Sequence, residues 1–297
     1  MILFLKEATA LGRVEVSTEL NTTVIQPGFV ALVEGVDLGQ VPGSELEDRL
    51  RELHGQFPVL AFPEQDLTPG SFIAFARVFG DIEIDAHVPQ FAHPGMPELI
   101  YLTNIDADGN PDPASAGRGS AWHSDSSYKP EPCAHTVLYA LEVPSKGGGT
   151  VFADMYRAYE TLPDEMKARI DGRQARHLWS QGPAGGGHIP LTTEQEAALP
   201  QVIQPMVRIH PVSARKGLYV NPLHTTEIIG MEPSEGDDIL SYLFDHSISL
   251  DFQYHHHWLP RQLVIWDQRC TMHKAEAAYS MDERRRLMRT KIAGHAA

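Results

Sequence analysis

Cysteine is nearly absent: Cys133 and Cys270 are the only two in 297 residues. They lie far apart and outside any CxxC or Cys/His spacing, which excludes a disulfide framework and a cysteine-based zinc site. A chain this long can bury a sizeable core without such staples, and a reducing cytoplasm is its natural compartment. Long apolar runs are missing too, since no stretch approaches the roughly 20 residues that a membrane helix needs. The opening Met1-Ile2-Leu3-Phe4-Leu5 has no positive region before it and meets Lys6 and Glu7 at once, so no export signal is read. Positive charge is scarce: 24 Lys and Arg face 39 Asp and Glu, a net charge of −15. That field repels phosphate backbones and anionic lipid, which argues against nucleic-acid and membrane partners. It also repels small anions at long range, so any acid-binding site must carry its own cations. No internal repeat or low-complexity tract is visible.

What is present is an ordinary globular composition, 42% hydrophobic and 21% charged. The 24 glycines and 22 prolines punctuate many short β-branched and aromatic runs, the pattern of a sandwich or barrel with two facing sheets. Strands are expected at 29–36, 58–62, 98–103, 136–143, 206–210, 218–221, 252–258, 262–267 and 287–293. Helices are fewer. Ser44 with Glu47 forms a capping-box pattern ahead of Leu46, Leu50 and Leu53. A second helix starts at Thr68-Pro69, carries Phe72, Phe75, Ala76 and Phe79, and stops at Gly80. Others are expected at 154–162, 163–170 and 234–247. The class is thus mainly β with flanking helices. The glycine-rich stretch 181–199 has little periodicity and reads as a lid or a surface insertion.

Trp122-His123-Ser124-Asp125-Ser126 is the most informative segment. On extended backbone an HxD pair puts both side chains on one face, about 6–7 Å apart at Cα, where both can grip one ion. A third donor is needed, and His273 follows a buried-looking strand in Leu263-Val264-Ile265-Trp266-Asp267-Gln268-Arg269-Cys270-Thr271-Met272-His273. Two imidazoles and a carboxylate on adjacent corners of an octahedron leave the other corners free, which suits Fe(II) with an organic cosubstrate and dioxygen. Zinc hydrolases can use similar ligands. His255-His256-His257 is not read as a metal site, because strand alternation turns its central ring away from its neighbours.

From about residue 17 to 294 the sequence resembles the Fe(II)/2-oxoglutarate-dependent dioxygenases grouped with taurine dioxygenase and 2,4-dichlorophenoxyacetate dioxygenase. The likeness is carried by Trp122-His123-Ser124-Asp125, Val143-Pro144-Ser145-Lys146-Gly147-Gly148-Gly149-Thr150, Asp154-Met155-Tyr156-Arg157-Ala158-Tyr159, and Trp266-Asp267-Gln268-Arg269 with His273. The resemblance implies a double-stranded β-helix, or jelly roll, in which His123, Asp125 and His273 hold iron. It implies a 1–16 extension and a single domain over 17–297, with a lid insertion around 180–200. Two positions depart from the family pattern: Gln268 replaces the usual Asn, and Gly149 replaces the usual acidic residue before Thr150.

2-Oxoglutarate chelates iron through its keto-acid end and leaves a distal carboxylate that needs a cation and a hydroxyl. The resemblance assigns these to Arg285 and Thr150. Counting forward from His273 favours Arg284, but matching at Gly294 favours Arg285, and a strand resists a register slip that a loop insertion does not. In extended backbone Arg285, Leu287, Arg289 and Lys291 share one face, while Arg286, Met288, Thr290 and Ile292 share the other. By the same likeness Arg289 takes the substrate's anionic group, and His87, Ser120 and Tyr128 line its pocket. The implied reaction hydroxylates a small organic anion (a sulfonate, aryloxyalkanoate or similar acid), yields succinate and CO2, and in some cases cleaves the product. Rival readings are a metal-dependent hydrolase on the same triad and a non-catalytic jelly-roll acid-binding protein. A homo-oligomer of unstated copy number is expected.

Overall fold

The computed structural model describes residues 20–40, 43–84, 92–106, 108–179, 192–194 and 201–294. In chain order the strands are β1 (Asn21–Gln26), β2 (Val30–Glu34), β3 (Val59–Phe62), β4 (Ile82–Glu83), β5 (Ala92–His93), β6 (Met96–Thr103), β7 (His135–Glu142), β8 (Thr150–Asp154), β9 (Gln174–His177), β10 (Val202–Pro205), β11 (Val207–Ile209), β12 (Lys216–Leu218), β13 (Thr225–Ile228), β14 (Gln253–His256), β15 (Leu263–Asp267), β16 (Thr271–Ala275) and β17 (Arg286–Ile292). The helices are α1 (Ser44–Gln56), α2 (Pro69–Ala76), α3 (Pro113–Ala116), α4 (Met155–Glu160), α5 (Asp164–Ile170) and α6 (Pro233–Ser247). A large sheet runs β1-β2-β3-β15-β7-β17-β6-β5 with β4 beside β17, and a smaller one runs β14-β8-β16. Among the described residues only the β2–β3 pairing is parallel. The architecture is mainly β with flanking helices.

Two-residue periodicity assigns each strand face to a layer. In β15, Leu263 and Ile265 join the cluster under α1 and α2, whereas Val264 and Trp266 face the small sheet. In β7, Val137 and Tyr139 look toward the helices, and Leu138 and Ala140 look inward. In β17, Met288 goes outward and Leu287 inward, the alternation expected from the arginine run. Phe152 of β8 meets the large sheet from the opposite side, with its ring 5.3 Å from that of Trp266. Its neighbours Val151 and Ala153 face a third cluster with α4, α6 and β12. Both sheets are therefore covered on two faces, which is why β3, β8 and β15 are buried along their whole length. The inward parity falls on Thr136, Thr150, His273 and Arg289, so chemistry-bearing side chains converge between the sheets.

Several expectations need correction. The Ser44–Glu47 capping box does not form: Gly43 is the N-cap, and no side chain caps the helix. Thr68 does cap α2, with Ser71 as its reciprocal partner. That helix narrows to a 3-10 turn over Arg77–Phe79 before Gly80, whose φ of 141° is not the left-handed cap geometry expected. Strands β1, β4, β5, β8, β9, β10, β13 and β16 were not anticipated, and the strand expected at 218–221 lies at Lys216–Leu218. Short polar termini and glycine neighbours hide such strands from a periodicity reading, although β8 and β16 form most of the small sheet. The 1–16 extension and nearly all of the 181–199 stretch lie outside the described residues, as does His87.

Candidate metal centre and its surroundings

The two histidine-bearing segments are joined by backbone pairing: His123 N donates to His273 O at 3.0 Å, and His273 N donates to His123 O at 2.8 Å. The His123 and His273 ring centroids are consequently 4.2 Å apart. Asp125 follows in a tight turn, its Oδ1 3.6 Å from His123 Nε2. Ligand atoms of His123, Asp125 and His273 all lie within 4.8 Å of one another. The sequence-predicted triad is thus gathered round one point.

The protonation chemistry fits a metal. His123 Nδ1 lies 2.8 Å from the Ala121 carbonyl, so this nitrogen carries the proton and Nε2 presents its lone pair. Burial lowers the His273 pKa to about 3, which keeps that imidazole neutral. Burial works to raise the Asp125 carboxyl, but the adjacent His123 and His273 side chains and the Arg289 charge outweigh it and hold the group well below the usual range. Two imidazoles and one carboxylate form a donor set for a divalent cation with open positions. Trp266 and Phe152 wall His273, with ring centroids at 4.8 and 6.3 Å. On the other side His224 lies 6.4 Å from His123 and 5.0 Å from Tyr128, and Trp179 lies 4.6 Å from Tyr128, all between centroids.

Thr150 opens β8 on the inward parity, buried, with its Oγ1 accepting from Trp258 Nε1 at 3.1 Å. Arg285 reaches the same region: its Nε donates to the Gly148 carbonyl at 2.8 Å, and burial lowers its pKa. Tyr279 is its neighbour, its phenol raised by burial against the opposing Arg285 charge. No carboxylate pairs with Arg285 among the described residues. Arg284 instead points to the surface, its guanidinium 4.0 Å from Glu142. The glycines before Thr150 are required by packing. Gly147 has φ +70° and no room for a side chain against the Ala278 carbonyl. A Cβ on Gly149 would come within 2.5 Å of Glu276 Oε2, so the carboxylate absent at 149 is replaced in space by Glu276.

Arg289 lies on the inward face of β17, and its charge lowers the pKa of both Asp125 and His273. Ser120 is exposed, in the turn beside His123, and its backbone N donates to Gly117 O at 3.4 Å. In the histidine triplet, His256 is buried while His255 and His257 are exposed, as alternation requires. Sequence reasoning did not identify Trp258 as the donor to Thr150, Tyr279 beside Arg285, or Thr136 beside Asp125. The alternation of Trp258 with His256 was the available signal for the first; the other two pairs meet across irregular turns that carry no periodic signal.

Two further groups bring ligand atoms together: His54, His135 and Asp267, and His210, Asp267 and Cys270. Each is satisfied without an ion. Asp267 is gripped by Arg269 and accepts from His210 Nε2 at 3.0 Å, while His210 Nδ1 accepts from the backbone of Val212 and Ser213. His135 Nδ1 meets His54 Nε2 at 3.0 Å, and His54 Nδ1 faces Phe57 O at 3.2 Å. One set of tautomers closes this network, and the adjacent guanidinium opposes a cation.

A mainly β fold that gathers a His, Asp and His group beside a part-buried arginine suits a metal-dependent enzyme. The chain belongs to the taurine catabolism dioxygenase TauD, TfdA family, whose model matches residues 21–291, and it is an enzyme of that dioxygenase family. It is 34% identical over 280 residues to the (S)-phenoxypropionate/alpha-ketoglutarate-dioxygenase of Sphingobium herbicidovorans, covering 90% of this chain and 92% of the relative. It is 32% identical over 276 residues to the alpha-ketoglutarate-dependent 2,4-dichlorophenoxyacetate dioxygenase of Cupriavidus pinatubonensis, covering 89% and 94%. Among solved structures, AAD-2 in complex with Mn(II) and N-oxalylglycine matches with a TM-score of 0.80 and 32% identity over 93% of this chain and 100% of that one.

Proposed function

We propose that the protein is an Fe(II)- and 2-oxoglutarate-dependent dioxygenase that oxidises a small aryloxyalkanoate-type carboxylate. Its two facing sheets are read as the double-stranded β-helix. The observation that carries the reading is the pairing of the triad with a part-buried guanidinium that has no carboxylate partner among the described residues. His123, Asp125 and His273 would hold Fe(II). With dioxygen, the metal supplies oxidative decarboxylation of 2-oxoglutarate to succinate and CO2, coupled to hydroxylation of a substrate C–H bond.

The chain's own work is placement. Arg285 clamps the distal carboxylate of 2-oxoglutarate, and the Thr150 hydroxyl, oriented by Trp258, donates the second hydrogen bond. Arg289 holds the substrate acid beside the metal, and Tyr128, Trp179 and His224 offer ring surface for an aryl group. Local guanidinium pairs outweigh the salt-screened acidic surface. Phe152 and Trp266 keep bulk water from the metal's inner side. His87 and Ser120 complete the pocket in this reading. Hydroxylation at a carbon bearing the ether oxygen gives a hemiacetal-type product that collapses, cleaving the ether. Two buried free thiols suit a cytoplasmic enzyme, and among the described residues no helix is long and apolar enough to cross a membrane.

Anaerobic addition of Fe(II) and 2-oxoglutarate should develop a visible charge-transfer band that shifts when phenoxypropionate or 2,4-dichlorophenoxyacetate binds. Admission of air should then give succinate stoichiometric with oxidised substrate. No band rejects the cosubstrate, and a shift with taurine alone moves the substrate class to sulfonates. Asp125→Ala should abolish succinate release; unchanged turnover rejects the triad. A hydrolase on the same ligands would release product without oxygen.

A further inference from the structure

The hydrogen bonding of Asp125 is strongly one-sided. Its Oδ2 accepts from Thr136 Oγ1 at 2.7 Å and from Gln268 Nε2 at 2.9 Å, while Oδ1 is the oxygen turned toward His123. The same Gln268 amide accepts from the Asp125 backbone N–H through Oε1 at 2.9 Å, and Nε2 also donates to Thr136 Oγ1 at 2.9 Å. These bonds fix the amide's orientation, since a flipped amide would set oxygen against carboxylate and NH2 against N–H. Both Gln268 and Thr136 are fully buried. Gln268 is itself anchored, its backbone N donating to Ala134 O at 2.8 Å, in the turn that feeds β16 and therefore His273. Asp125 lies in a turn outside any strand ladder, followed by Ser126 at φ +58°, so its carboxylate plane depends on these side chains.

We propose that Gln268, with Thr136, is the positioning pair of the metal centre: it saturates Asp125 Oδ2, leaves Oδ1 as the single ligand oxygen, and locks the Asp125 turn to the strand bearing His273 before any metal arrives. This rests on the triad being the metal centre. The departure from the family's usual Asn is functional here. An Asn amide would sit one methylene back, about 1.5 Å, and could not bridge the backbone N–H and the carboxylate of Asp125 together. Fixing the ligand beforehand removes a rotational cost from binding, and substitutions of such outer partners weaken metal affinity by about 10–100-fold.

The test is Mn(II) titration by calorimetry and electron paramagnetic resonance of wild type, Gln268→Leu, Gln268→Asn and Thr136→Val. Near-ultraviolet circular dichroism of the metal-free proteins serves as the folding control. Gln268→Leu should bind about 10–100-fold more weakly, Thr136→Val several-fold more weakly, and Gln268→Asn should recover only part of the loss. The Mn(II) resonance should broaden in the weakened variants, which a merely structural role would not cause. A folded Gln268→Leu with wild-type affinity overturns the proposal; if that variant does not fold, unchanged affinity in Thr136→Val overturns it instead. Wild-type affinity in Gln268→Asn overturns the span argument. If wild type binds no Mn(II), or Asp125→Ala binds it equally well, the triad reading fails, a result distinguishable from these.

Discussion

Replacing Arg285 by Leu separates two adjacent arginines by sign as well as size. Arg285 is part-buried, bonded to one backbone carbonyl, and lacks an acidic partner among the described residues, so it is costly to the empty protein. Removing it should leave the thermal stability of the metal-free protein unchanged or slightly raised, because a desolvated charge is lost along with one hydrogen bond. Cosubstrate binding should move the other way. Leaving a carboxylate unpaired in a desolvated site costs about 3–5 kcal/mol, so 2-oxoglutarate should bind about 10²–10⁴-fold more weakly, at 1.4 kcal/mol per tenfold. Arg285→Lys keeps the charge but loses the planar fork and should lose about tenfold. Arg284→Leu removes an exposed side chain at 4.0 Å from Glu142 and should change nothing beyond twofold. The assay is anaerobic titration of the Fe(II) protein with 2-oxoglutarate, with Mn(II) affinity as the control that should not move. Equal losses at 284 and 285, or no loss at 285, would refute the reasoning.

Burial raises the Asp154 pKa to about 6. Its contribution to stability is therefore present at low pH and lost as pH rises through 6. Asp154→Asn, which keeps an acceptor for the Tyr156 and Arg157 amides, should stabilise the protein by up to about 3 kcal/mol at pH 7.5, with the gain vanishing below pH 4 in urea melts. Gly147→Ala forces a Cβ into the Ala278 carbonyl at φ +70° and should lower the thermal midpoint by several degrees and weaken 2-oxoglutarate binding together; a midpoint within a degree of wild type contradicts the packing argument. Phe152→Ala empties the space between the sheets and should cost about 3–5 kcal/mol in denaturant unfolding; a loss under 1 kcal/mol would mean the sheets are not held apart by this ring.

The site was more legible than the scaffold around it. His123, Asp125 and His273 were identifiable because three donors with defined chemistry recur in distinctive local contexts, and the alternation of the arginine run correctly gave the faces of β17. Strands β8 and β16 were not legible, since a short segment such as Thr-Val-Phe-Ala-Asp lies below what periodicity resolves. The Ser44–Glu47 pattern failed as a cap because a hydroxyl at the first helical position, one residue late, cannot reach the free amides. Sequence by itself determined which side chains could act, through their acid–base chemistry and their parity along each strand. Only the tertiary structure decided that Arg285 rather than Arg284 turns inward, that Glu276 fills the space left at Gly149, and that Gln268 grips Asp125 from 143 residues away. Those outcomes depend on the register between strands distant in sequence, and no local pattern encodes the distance between two segments that meet only after folding.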